Sequence, residues 1–331
     1  MNVFLTTLNT KYVHTNIALK VLYESINKNA VLKEYTINEP IGNILRDMLS
    51  FNAKIYAFSV YIWNISDILK IADVIKTIKP DSIIILGGPE VTYTSKELLE
   101  KYVFLDYIIQ GEGEETFPKL IEYLEEKSKK VPEHVTYRDG ENIVVSDIGI
   151  VCDTNKIPRI AKNIVENYDG RIVYIETVRG CPYNCSYCLS STIKGIRPFD
   201  ISRVKEELLI LINAKVKLIK FVDRTFNYDK KRALEIWKFL IEKNICSEFH
   251  FEISAHLIDD EMMEFLKSVP KGIFRMEIGV QSTNPETISA INRSTDFDIV
   301  SRVCKALNEI RKYYNAFRFN CRASIRKLWK I

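Results

Sequence analysis

Short β-rich runs alternate with stretches of helical periodicity along most of the chain, and this alternation restricts the fold more than any other feature. In the first half, residues 2–8, 31–37, 55–63, 82–87 and 107–110 read as strands. Segments near 16–27, 41–49, 66–79, 95–102 and 115–127 repeat apolar residues at helical spacing. A strand, a helix and a further strand in succession imply a crossover to a parallel neighbour, so the first half predicts a doubly wound parallel sheet. Ligands of such sheets bind beyond the carboxyl ends of the strands. Three loops at that edge stand out: Ser59 onward, Gly87-Gly88-Pro89, and Gly111-Glu112-Gly113. Glycine there lets backbone approach a large ligand, and it equally serves a tight turn that needs positive φ.

At 331 residues, 47% hydrophobic and 27% charged, the chain has room for two domains with buried cores, which excludes a disordered or collagen-like polypeptide. No apolar run approaches the roughly 18–20 residues that cross a bilayer, and the first 20 residues lack the layout of a secretory signal. A cytoplasmic protein without a membrane partner is expected. The net charge of +4 is local in origin: residues 311–331 hold seven basic residues and no carboxylate, leaving the preceding 310 at −3. The balance therefore says nothing of an acidic partner for the body of the chain.

Residues 127–130 form a charged linker, and Asp139-Gly140 between two apolar runs predicts a hairpin over 135–145. The second half opens a new strand–helix series, with strands at 171–177, 218–223, 250–255 and 274–279. Helices are expected near 202–213, 230–243, 260–268, 285–291 and 298–313, opened by Asp200 or Ser202 and by Asp259. Four consecutive units suggest a barrel or partial barrel, whose active site lies at the C-terminal strand ends. The expected divisions are 1–130, a linker with hairpin at 131–170, a barrel segment at 171–316, and a basic tail at 317–331.

Cys181-Pro182-Tyr183-Asn184-Cys185-Ser186-Tyr187-Cys188 follows the first strand of that series. Three thiolates so close together can converge on one centre, and soft sulfur ligands favour iron–sulfur or zinc. Structural zinc and ordinary four-iron clusters take four protein ligands. No fourth is evident: Cys152 precedes the strand, Cys246 and Cys304 fall in or beside helices, and the four histidines (His14, His134, His250, His256) show no ligand spacing. Three ligands leave a coordination position open for chemistry.

Gly180 followed by Cys-x3-Cys-x-aromatic-Cys at the end of a first barrel strand resembles the radical S-adenosylmethionine (SAM) superfamily. The resemblance implies that Cys181, Cys185 and Cys188 hold a [4Fe-4S] cluster whose fourth iron takes SAM. It further implies reductive cleavage of SAM to methionine and a 5′-deoxyadenosyl radical, and a reductant such as flavodoxin or ferredoxin. It points to Tyr187, Asp223, Thr225, Glu252, Ser254, Glu277, Gln281 and Ser282 as SAM contacts, although Phe221–Asn227 departs from the family's Gly-Gly-Glu. For each, the plain alternative is a polar residue satisfying loop backbone.

A doubly wound domain ahead of such a barrel resembles the cobalamin-binding group of the superfamily. That implies cobalamin contacts at Ser59, Gly87, Gly88, Pro89, Gly111, Glu112 and Gly113, and a cobalamin-dependent methyltransferase or a catalyst of another radical rearrangement. The Asp-x-His-x2-Gly sequence that supplies a histidine to cobalt is missing, so a lower face without histidine is expected. Methylthiotransferases carry three further cysteines in their first domain, and residues 1–151 contain none. The fold class expected is α/β: an N-terminal doubly wound, Rossmann-like parallel sheet followed by an incomplete radical SAM partial TIM barrel. One back-translation of residues 317–325, read one base later, spells the fifth strand that the resemblance leads one to expect, suggesting a frameshifted or truncated end. The alternatives are a truncated, non-catalytic iron–sulfur protein and a nucleic-acid-binding module using the basic tail. The substrate is not legible.

Overall fold

A computed structural model describes residues 2–26, 30–151, 153–243, 246–293 and 295–309. It comprises two compact units, one ending at Ile164 and the other beginning at Val165. In the first, β1 (Val3–Asn9) is buried along its whole length and lies between β2 (Ala30–Thr36) and β3 (Ile55–Ser59). Next to β3 come β4 (Ile83–Gly87) and β5 (Tyr107–Ile109), and these five strands are parallel. The order β2-β1-β3-β4-β5 puts the topological switch point between β1 and β3.

Alternate side chains of the strands feed two cores, so these strands are apolar almost throughout. Phe4, Tyr56 and Ile84 pack with Ile44 and Met48 of α2 (Ile41–Ser50), Ile68 and Ile71 of α3 (Ile65–Ile78) and Leu99 of α4 (Ser95–Lys101). Leu5, Ala57 and Ile85 pack with Leu19 of α1 (Ile17–Ser25) and with Phe117 and Leu120 of α5 (Thr116–Leu124).

Two expectations change. The predicted third strand, 55–63, stops at Ser59, because buried Asn64 folds the following segment into a turn. Its Oδ1 accepts from the Tyr61 amide at 2.8 Å, and its Nδ2 donates to Thr7 Oγ1 and the Leu8 carbonyl, each at 3.1 Å. The hairpin expected in a linker is β6 (Val135–Asp139) and β7 (Asn142–Val144). It extends the sheet, with β6 antiparallel to β5, and the first unit accordingly runs past residue 130 to Ile164. A short helix, α6 (Ala161–Glu166), follows.

In the second unit, β8 (Val173–Ile175), β11 (Leu218–Phe221), β12 (Glu248–Ile253) and β13 (Phe274–Ile278) form a parallel sheet in chain order. Successive neighbours joined by helices are the pattern of a βα barrel wall. Asp200 caps α7 (Ile201–Asn213), accepting from the Ser202 amide at 2.8 Å. Asp259 caps α9 (Asp260–Ser268), accepting from the Met262 amide at 3.0 Å. Between these helices lies α8 (Lys230–Lys243), and α10 (Pro285–Ala290) and α11 (Phe297–Glu309) follow β13. The two short strands β9 (Val178–Arg179) and β10 (Arg197–Pro198) pair antiparallel and pinch off the loop that carries the cysteines. The suspected aberrant tail, 317–331, lies outside the described residues.

Burial alternates strictly along β12 and β13, giving the barrel sheet two unlike faces. One carries Phe221, Phe249, Phe251 and Phe274, fully buried against Trp237 of α8. The other carries Tyr174, Lys220, His250, Glu252 and Glu277, half-buried and polar. Phe251 is central to the first face, with ring centroids 4.6 Å from Phe221 and 4.5 Å from Phe226. Phe251→Ala is expected to cost about 3–5 kcal/mol of stability. Urea unfolding followed by circular dichroism checks this, and a loss under about 1 kcal/mol would contradict the packing described.

Candidate active site

The cysteine loop emerges past the carboxyl end of β8 and is held from two sides. On one side, Ser186 N donates to the Ile291 carbonyl at 3.0 Å and Asn292 Nδ2 to the Asn184 carbonyl at 2.9 Å. Arg293 spans from the Tyr187 hydroxyl to the Gly279 carbonyl, 2.9 Å to each. On the other side, the Tyr183 hydroxyl meets His256 Nε2 at 2.8 Å, and Cys181 Sγ lies 3.6 Å from Thr225 Oγ1. Ser191 closes the loop by donating to the carbonyls of Cys185 and Cys188.

Cys185 is buried, Cys181 and Cys188 are half-buried, and all three are free thiols. Among the described residues, no three His, Cys, Asp or Glu side chains surround one point as ligands of a single ion. A multi-iron cluster makes no such demand, because each thiolate binds a different iron. Three soft donors on a tethered loop, without a fourth, fit a cluster that keeps one iron open.

Around this loop the predicted contacts take different roles. Asp223 is engaged by the chain itself. It is buried, its Oδ1 accepting from the amides of Thr177 (2.7 Å) and Val178 (3.2 Å) and its Oδ2 from the Thr177 hydroxyl. Through these bonds Asp223 ties the end of β8 to the end of β11. Ser254, at the end of β12, has its backbone clasped by Asn227, which donates to the Ser254 carbonyl at 2.9 Å and accepts from its amide at 2.8 Å. The Ser254 hydroxyl meets His256 Nδ1 at 3.1 Å.

Glu252 and Glu277 share Lys220, at 3.3 Å each, and Glu277 also meets His250 Nε2 at 3.0 Å. Gln281 adopts a left-handed φ of 62°, and Ser282 Oγ accepts from the Asn284 amide at 3.1 Å, a turn that leads into α10. The structure thus gathers Tyr187, Thr225 and Ser254 about the cysteine loop through Arg293, Asn227, His256 and Tyr183. Tyr183 and Asn227 lie within stretches the sequence marked, without a role of their own, and the sequence assigned His256 and Arg293 no place in the site. His250, Glu252 and Ser254 do alternate along one strand, a signal for a shared face. Nothing in sequence spacing signals Arg293, 106 residues from Tyr187.

Past the carboxyl ends of β4 and β5 in the first sheet, Gly88 and Gly111 lie close to local backbone. A Cβ on Gly88 would stand 2.5 Å from the Val60 carbonyl oxygen and one on Gly111 would collide with the Gly149 carbonyl oxygen, at positive φ of 116° and 83°. Glu112 is likewise engaged, its carboxylate accepting from the Val151 amide at 2.6 Å. Pro89 is exposed, and Ser59 ends β3 with its carbonyl accepting from Thr7 Oγ1 at 2.7 Å. Gly87 and Gly113 meet nothing closer than ordinary contacts where a Cβ would sit.

The turn set by Asn64 adds a feature the sequence reading missed. Tyr61 and Trp63 stack at 4.6 Å and display Ile62, 76% exposed, beside the end of β1, whose own loop exposes Tyr12. Rigid apolar groups at a switch point suit a large, flat ligand. Among the described residues, no helix is long and apolar enough to cross a membrane.

Comparison with known proteins matches residues 5–121 to the B12 binding domain family and residues 175–316 to the Radical SAM superfamily. An uncharacterized methyltransferase of Pyrococcus horikoshii is 26% identical over 238 residues, covering 69% of this chain and 51% of that protein. The cobalamin-dependent radical SAM methyltransferase TokK of Streptomyces tokunonensis is 28% identical over 208 residues, covering 57% of this chain and 30% of that protein. The chain therefore spans about half of the first of these relatives and less than a third of the second. The structure of the cobalamin-dependent SAM radical enzyme OxsB with aqua-cobalamin bound superposes with a TM-score of 0.76 at 20% identity, covering 95% of this chain and 49% of that one. At that identity the likeness shows the fold alone.

Burial pushes the Asp223 carboxyl up to about 7, against three donors that favour its charged form, whereas an unfolded aspartate titrates near about 3.9. Between those values the folded chain keeps a proton that the unfolded chain has released, so unfolding free energy falls as pH rises from about 4 to about 7. Asp223→Asn removes this titration. Urea melts across that range are expected to show a flatter pH dependence than wild type; an unchanged slope would assign it to other groups.

Proposed function

We propose, from the premise that this chain is a radical SAM superfamily protein with a B12-binding domain ahead of its barrel, that it is an enzyme using both cofactors to methylate a substrate. The observation that carries this reading is the loop of Cys181, Cys185 and Cys188, tethered from two sides at the carboxyl ends of parallel strands. Those thiolates would hold three irons of a [4Fe-4S] cluster and leave the fourth to SAM. When bound, the cofactors supply reductive cleavage of SAM to methionine and a 5′-deoxyadenosyl radical, hydrogen abstraction from substrate, and methyl transfer.

The chain's own residues bind and orient. Thr225 and Ser254 present hydroxyls at the strand ends beside the loop, and Glu252 and Glu277 offer carboxylates suited to ribose hydroxyls or an ammonium group. Tyr187, Gln281 and Ser282 line the opposite side, where Arg293 fixes the Tyr187 hydroxyl. In the first unit, Ser59, Gly87, Gly88, Pro89, Gly111, Glu112 and Gly113 shape the loops that would receive cobalamin, with Ile62 and its aromatic neighbours as apolar support. Asp223 serves from behind by fixing the strand from which the cysteine loop departs. A cytoplasmic location and a low-potential electron donor such as flavodoxin or ferredoxin complete the reading.

Anaerobic reconstitution with iron and sulfide, then reduction in the presence of SAM, tests it. The wild-type chain is expected to show iron–sulfur absorption with about four irons and to release 5′-deoxyadenosine. Cys185→Ala is expected to lower that release at least about 100-fold, since a three-ligand cluster has no ligand to spare. Release at the wild-type rate from Cys185→Ala would overturn the assignment.

A further inference from the structure

His256 stands just past β12, between two hydroxyls. Its Nε2 is 2.8 Å from the Tyr183 hydroxyl, within the cysteine loop, and its Nδ1 is 3.1 Å from the Ser254 hydroxyl. The Tyr183 and His256 rings meet edge to face at 5.5 Å. Ser254 cannot drift, because buried Asn227 holds its backbone by both the amide and the carbonyl. Burial, and then the Arg293 charge, push His256 below the ordinary histidine range, so the ring is neutral near pH 7 and carries one N–H.

A neutral imidazole between two hydroxyls supports two patterns. In the first, Tyr183 donates to Nε2, the ring donates from Nδ1 to Ser254, and the Ser254 hydroxyl hydrogen is directed outward. In the second, Ser254 donates to Nδ1, the ring donates from Nε2 to Tyr183, and the Tyr183 hydroxyl hydrogen is released from the ring.

We propose that Tyr183, His256 and Ser254 form a two-state hydrogen-bond relay that couples a ligand at the end of β12 to the cysteine loop. The inference rests on the cluster and SAM reading above and adds positioning residues to it. The ligand it senses presents an oxygen acceptor, such as the carboxylate or a ribose oxygen of SAM. An acceptor beside Ser254 takes its hydroxyl hydrogen and selects the first pattern, drawing the Tyr183 hydrogen toward His256. Without that acceptor the second pattern frees a donor within the loop, and donors to cluster sulfurs raise its reduction potential. Exchange between the patterns moves the ring proton between nitrogens through solvent, with no net gain or loss.

The test uses the full chain, reconstituted anaerobically. SAM affinity is measured on the oxidised protein by equilibrium dialysis, and the cluster midpoint by potentiometry followed by electron paramagnetic resonance, with and without SAM. Tyr183→Phe and Ser254→Ala are each expected to weaken SAM binding roughly three- to tenfold. The double variant should bind about as weakly as the weaker single variant, because both break one relay. Tyr183→Phe should also lower the midpoint of the SAM-free cluster more than that of the SAM-bound cluster.

Additive losses, wild-type SAM affinity in Tyr183→Phe, or an equal midpoint change in both states would overturn the relay. So would a Tyr183→Phe chain that cannot load iron, since all three thiolates remain in place. A wild-type chain that loads no cluster would instead overturn the proposed function.

Discussion

A buried carboxylate fixes the geometry from which the rest of the candidate site follows. Asp223 closes the gap between the ends of β8 and β11 by accepting two amides and a hydroxyl from residues 177 and 178. The chain then enters β9, whose pairing with β10 returns it and isolates the cysteine loop. A loop with little more regular structure than the single helical turn Leu189–Ser191 has few backbone bonds of its own, so its shape depends on what is placed around it. Here those supports are side chains from the ends of other strands and from the segment after α10. Desolvation raises the proton affinity of Asp223, and three donors keep this buried acceptor satisfied.

The two units share a plan: parallel strands end at one edge, and the connections there carry polar or unusual residues. Their chemistry differs because their sheets bury different faces. The first sheet is covered on both sides, so most of its strand residues are apolar and recognition falls largely to loops such as the Asn64 turn. The barrel sheet has one aromatic face against the helices and one polar face, so its strands themselves present Lys220, His250, Glu252 and Glu277. Placing carboxylates on rigid strands, beside a loop held by other elements, favours preorganisation over flexibility.

Strand–helix alternation, the caps at Asp200 and Asp259 and the hairpin turn were legible because each is a local signal, read over a few residues. The same locality explains the errors. A run as apolar as 55–63 reads as one strand, yet buried Asn64 ends it at Ser59 through bonds to Thr7 and Leu8, more than fifty residues away in the chain. The donors that Asp223 meets within the chain, 45 and 46 residues distant, are equally outside the reach of a local reading. Gly88 and Gly111 allowed two readings, and the close approach of Val60 and Gly149 accounts for both.

The sequence by itself determined the chemistry on offer: three thiolates at x3 and x2 spacing, two α/β units, and a carboxylate on each of two successive barrel strands. These depend on residue type and on short-range periodicity, which the linear chain carries in full. Only the tertiary structure decided which polar groups brace the strand ends and the cysteine loop. That choice depends on burial and on hydrogen bonds between distant strand ends. It turns Asp223 inward and assembles Tyr183, His256 and Arg293 around the cysteines.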